Sequence, residues 1–88
     1  MYDVMLKDSV VGSVVLRRQG AYYLLECHCS VHMTKRYHLM LTIKDKETDL
    51  GLCVPNNNGL ELNTRIKVSI FGDNIPLFAL SAQEITDD

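Results

Sequence analysis

The segment Leu60-Glu61-Leu62-Asn63-Thr64-Arg65-Ile66-Lys67-Val68-Ser69-Ile70 alternates without a break: every even position is apolar or Thr, every odd one polar. Successive strand side chains point to opposite faces, so a sustained period of two marks a half-buried strand. On a helix the same period would scatter the apolar residues around the axis instead of gathering them on one stripe. The run is long for one strand, which predicts a bend near Asn63-Thr64 or two strands in phase.

The same logic extends along the chain. Tyr2, Val4 and Leu6 alternate with Asp3, Met5 and Lys7; Tyr37, Leu39, Leu41 and Ile43 alternate with Arg36, His38, Met40 and Thr42. Leu50-Leu52-Val54 reads as a short strand before Pro55, and Leu77 to Leu80 as a strand closing the sheet. Turn residues separate these runs at Asp8-Ser9, Gln19-Gly20, Asp45 to Asp49, Asn56 to Gly59 and Gly72 to Asn74. The one helix signal is Ser81-Ala82-Gln83-Glu84, which has capping-box spacing. Asp87 and Asp88 oppose the dipole at the far end of that helix, so residues 83–88 are read as a frayed acidic tail.

Parity assigns faces. A one-residue slip would turn every core side chain outward. Between Ala21 and Ser30 the odd positions are the more apolar set, and the even set carries Glu26 and His28. A tight turn at Gln19-Gly20 places Arg18 opposite Ala21, Leu16 opposite Tyr23, Val14 opposite Leu25 and Gly12 opposite Cys27. A further hairpin then sets His38 opposite either His28 or Glu26. Residues 1–44 thus read as an N-terminal four-stranded antiparallel meander. The whole is an all-β domain over residues 1–82, a small sandwich or partly open barrel of about seven strands with little or no helix.

The 88 residues fill one domain. A net charge of −2 offers nucleic acid and anionic lipid no long-range attraction, and no apolar run approaches a membrane span. Three cysteines are an odd number, and Asp3, Lys7 and Asp8 interrupt any secretory h-region, which points to a reducing cytoplasm.

Cys27-His28-Cys29 is the segment that most resembles chemistry. A catalytic thiolate needs an imidazole within hydrogen-bond reach. Adjacent strand residues face opposite ways, so His28 activates neither thiol; His38 shares its face, and only loop His32 can approach Cys29. Zinc asks for four ligands, usually in paired knuckles, and Cys-x-Cys has no second knuckle. A cross-strand set of Glu26, His28 and His38 on the outer face is the metal alternative. The packing reading places Cys27 and Cys29 in the core as small hydrophobes with His28 outside. No nucleophile elbow, phosphate loop or zincin helix is present in the sequence. Asp45, Glu47 and Asp49 lack the glycine and terminal glutamate of an EF-hand loop and read as a solvated acidic turn.

The function expected is therefore non-enzymatic and needs no cofactor. Val11, Val15, Tyr22, Leu24 and Met40 fall on the nominally outer sheet face, rimmed by Arg17, His38 and Lys44. An apolar patch of this kind marks an interaction site unless the segment 50–70 covers it. The expectation is a protein-interaction module, pairing with itself or titrating a larger protein as a phage or mobile-element inhibitor. The nucleic-acid alternative places a single strand on Arg17, Arg18, Tyr22, Lys35 and Arg36. The acidic balance weighs against it.

Overall fold

The computed structural model describes residues 1–31 and 35–83, the last by its backbone alone. The strands are β1 (Tyr2–Leu6), β2 (Ser9–Gln19), β3 (Tyr22–Cys29), β4 (Arg36–Ile43), β5 (Lys46–Leu52), β6 (Val54–Asn56), β7 (Gly59–Lys67) and β8 (Leu77–Gln83). A single turn of 3-10 helix over Val68–Ile70 follows β7. All these strands join one sheet in the order β5-β4-β8-β1-β2-β3-β7-β6. Its two ends, β5 and β6, are separated in the chain by Cys53 alone, whose N–H donates to the Tyr37 carbonyl at 2.8 Å. One bent strand therefore leaves β4 and continues along β7, curling the sheet into a nearly closed barrel. This is the partly open barrel, not the sandwich: closure removes the unpaired edges that a flat sheet would expose.

The interior holds Val4, Val14, Leu25, Cys27, Cys29, Leu39, Leu41, Cys53, Leu60, Ile66, Phe71, Phe78 and Leu80, with Tyr37 at its margin. No charged or polar residue is buried among those described. β1 to β4, β7 and β8 supply it from alternate positions, whereas β5 and β6 bury none of their residues fully. At one end the sheet runs out of partners: β3 stops at Tyr22, opposite Lys67. The alternating run Leu60–Ile70 therefore leaves the ladder at Lys67, turns into the 3-10 helix and drives Phe71 under the barrel. There it meets Tyr23 edge-on, with ring centroids 5.3 Å apart.

The expected meander has three strands, not four. β1, β2 and β3 are consecutive neighbours, but β4 pairs with β5 and β8. The β2–β3 register also differs by two residues. Gln19 faces Tyr22, Val14 faces Cys27 and Gly12 faces Cys29, because the turn is centred on Gly20-Ala21 with Gly20 at φ +63°. A shift of two keeps every side chain on its expected face.

Parity itself fails at β5. A bulge between Leu39 and Met40, with Gly51 at φ +133°, reverses the facing, so Cys53 is buried while Leu52 and Val54 are exposed. Glu47 and Asp49 lie in this strand and not in an acidic loop. Ser81 to Gln83 extend β8, because Tyr37 and Arg36 of β4 offer them partners, so no helix starts there. The expected tail beyond Gln83, and His32, lie outside the described residues.

Candidate functional site

The end of β3 is held on both sides by glycine. A Cβ on Gly12 of β2 would run into the His28 carbonyl and come within 2.7 Å of the Cys29 Sγ; one on Gly59 of β7 would strike the Cys29 carbonyl. Both neighbouring backbones thus approach Cys29 more closely than any side chain permits. Cys27 and Cys29 lie on the inner face with their Sγ atoms 3.7 Å apart, and Cys53 is buried with them. The thiol of Cys27 is raised well above the ordinary range by its hydrogen bond to Cys29 and by burial. The same contact pulls Cys29 down, against its burial. Burial, with Cys29 and Asp49 nearby, pushes Cys53 up to about 11. A thiol kept protonated in an apolar interior is a poor nucleophile. His28 stands on the opposite face, exposed, as parity requires.

The outer-face metal set comes apart. Glu26 and His28 lie on β3, and His38 on β4. One way round the barrel β8, β1 and β2 separate these strands; the other way, β7 and the β5–β6 strand do. His38 instead faces Asp49 of β5, Nδ1 to carboxylate oxygen at 3.0 Å, while Asp49 also accepts the Gly51 N–H. No group of ligating side chains suited to a metal ion occurs among the described residues.

The expected interaction patch divides for the same reason. Val15, Arg17, Tyr22 and Leu24 do share the outer face of β2 and β3, where Arg17 is opposite Leu24. Val11 sits at the β1–β2 bulge, half-buried against the core. His38 and Met40 belong to the other side of the barrel, and Lys44 to the β4–β5 turn. In the nucleic-acid set, Arg17 and Tyr22 share the outer face, Arg18 is opposite Tyr23 and faces the other way, and Arg36 on β4 opposes Gln83 of β8, with Lys35 just before it.

A second, more apolar face was not anticipated. Met5, Ala79 and Met40 form one row across β1, β8 and β4, and Leu77 lies beside Thr42 in the next. Met1, Ile75 and Leu77 are 90, 80 and 65% exposed. Together with Met5 and Ala79 they surround an open cleft of about 610 Å³. The Phe78 side chain from β8 is turned inward, 5.7 Å from the Tyr2 ring. A signal existed in the sequence: the run Ile75-Pro76-Leu77-Phe78-Ala79-Leu80 is apolar at both parities, the pattern of a strand covered on both sides.

No family model, curated protein or solved structure matches the chain. Among the described residues no helix is long and apolar enough to cross a membrane.

Proposed function

We propose that the chain is a small non-enzymatic interaction module that binds another protein, or a second copy of itself, through the outer face of β1, β8 and β4. The observation that carries this reading is the cluster of Met1, Met5, Ile75 and Leu77 around one open cleft. Large apolar side chains held in water on a sheet face lose nothing by being covered, and each gains roughly 1.5–3 kcal/mol when fully buried. Methionine suits such a surface because its unbranched thioether adapts to a partner's shape. The expected Val15–Leu24 patch is less suited to this role, since cations flank Leu24 on both neighbouring strands. Action on a larger protein as an inhibitor is one form of this reading, and the three free cysteines favour a reducing cytoplasm as its setting.

Affinity capture and light scattering on the wild-type chain and on Met5→Lys and Leu77→Glu variants test it. Association is expected to disappear in the variants while the thermal midpoint stays put. Undiminished association, by either method, would reject this face as the binding surface.

A further inference from the structure

The outer face of β2, β3 and β7 carries an arrangement of a different kind. Register sets Gln19, Tyr22 and Lys67 in one row across the three strands, and Arg17, Leu24 and Arg65 in the next. The Arg65 guanidinium lies 5.3 Å from the centroid of the Tyr22 ring. Arg17 and Arg65 are separated by two strand spacings, ~10 Å. Residues distant in the chain are thus gathered by the β3–β7 ladder into a compact basic and aromatic surface.

Charge is segregated to match. The acid nearest these rows is Glu26, 3.9 Å from Arg17, with Glu61 at the far end of the face, opposite His28. The two rows hold three cations, Arg17, Arg65 and Lys67, and no acid, while Arg18, opposite Tyr23, belongs to the other face. Cations gathered in this way make a local positive field, and a local field steers and holds a polyanion whatever the overall balance.

We propose that this face binds single-stranded nucleic acid. Arg17, Arg65 and Lys67 contact successive phosphates, and a base stacks against the Tyr22–Arg65 pair. Small β-barrels that take single strands combine a basic track with an aromatic platform in this way, because every base has a π-face. Three cations in two rows set a footprint of a few nucleotides, and a duplex, whose bases are shielded, would leave the Tyr22 ring without a stacking partner. An acidic protein segment would use the same cations but gain nothing from the ring. The site is distinct from the β1–β8–β4 face, so its failure leaves the protein-binding reading standing.

Fluorescence anisotropy with a labelled oligothymidylate of about twelve nucleotides tests the proposal, alongside labelled polyglutamate. Binding is expected to weaken roughly twentyfold between about 50 and 200 mM salt, the slope for some three phosphates on a single strand. Arg65→Ala and Lys67→Ala should each flatten that slope by about 0.7. Tyr22→Ala should weaken binding about tenfold at unchanged slope. Lys46→Ala, a cation on β5, should change neither. If Tyr22→Ala melts below the assay temperature, Arg65→Ala and Lys67→Ala decide. No binding at low salt overturns the proposal. So does equal binding of polyglutamate with no loss in Tyr22→Ala, which would make this an acidic-protein surface.

Discussion

β3 is laddered along its whole length on both sides, to β2 from Gln19 opposite Tyr22 to Gly12 opposite Cys29, and to β7 from Lys67 to Leu60. β8 is joined to β1 only at Val4 with Phe78 and Met5 with Ala79, in parallel. The first seam carries the charged outer face and the second carries the apolar one. Where backbone hydrogen bonding is continuous, the strands hold without help from outside, and the surface above them is free to be polar. Across the short parallel seam, the Phe78 side chain packs within the core that holds Val4, its ring 5.7 Å from that of Tyr2. A partner seated on Met5, Leu77 and Ala79 would clamp that seam from without. The protein-binding proposal thus places the partner over the least hydrogen-bonded part of the barrel.

The continuous seam can be broken at one point. Gly12→Ala forces a methyl group into the His28 backbone, and overpacking of this kind costs about 3 kcal/mol or more. Denaturant melts should show that loss; a variant of wild-type stability would mean that β2 and β3 are not in this register. The closure strand is probed by alkali. The folded state holds Cys53 at about 11, above its ordinary value of 9.0. Between those values the folded protein binds the proton and the unfolded chain does not. The stability associated with Cys53 is complete below pH 9 and declines as the pH rises toward 11. The decline is expected to reach about 2–3 kcal/mol, and it should shrink in Cys53→Ala. An unchanged pH profile in that variant would place Cys53 outside the barrel. The smallest effect sits in the β4–β5 turn, where Lys44 holds φ +55°. Lys44→Gly relieves left-handed strain and should raise stability by about 1 kcal/mol, less the entropy of an added glycine. A loss on thermal melting would mean that this turn takes another form.

Strand parity made much of this legible. The inward Cys27 and Cys29, the outward His28 and the facing of Leu60 to Ile66 follow from alternation alone. Register was less accessible, because moving the turn from Gln19-Gly20 to Gly20-Ala21 shifts pairing by two and preserves every face. The partner of β4 could not be read, since β4 joins the sheet away from β3, between β5 and β8, and no local pattern records that placement. The strand read from Leu50, Leu52 and Val54 buries Cys53 instead, because the bulge and Gly51 reverse parity within it, and a periodic reading assumes an unbroken pleat. The site suffered from the same gap. Leu24 and Met40 share a parity but not a surface, while Arg17 and Arg65 share a surface across almost fifty residues of chain. The β1–β8–β4 face emerges only once β8 is inserted between β1 and β4.

The most direct measurement sets the two faces against each other. Leu77→Glu and Leu24→Glu each put one carboxylate on an outer face, and neither side chain lies in the core. Surface changes of this kind ordinarily shift stability by no more than about 0.5 kcal/mol. Both variants are compared by sedimentation for self-association and by affinity capture for other partners, with thermal melts alongside. The account predicts that Leu77→Glu loses protein association and that Leu24→Glu retains it, both remaining folded. Retention by Leu77→Glu with loss by Leu24→Glu would contradict it and move the protein-binding surface to the β2–β3–β7 face.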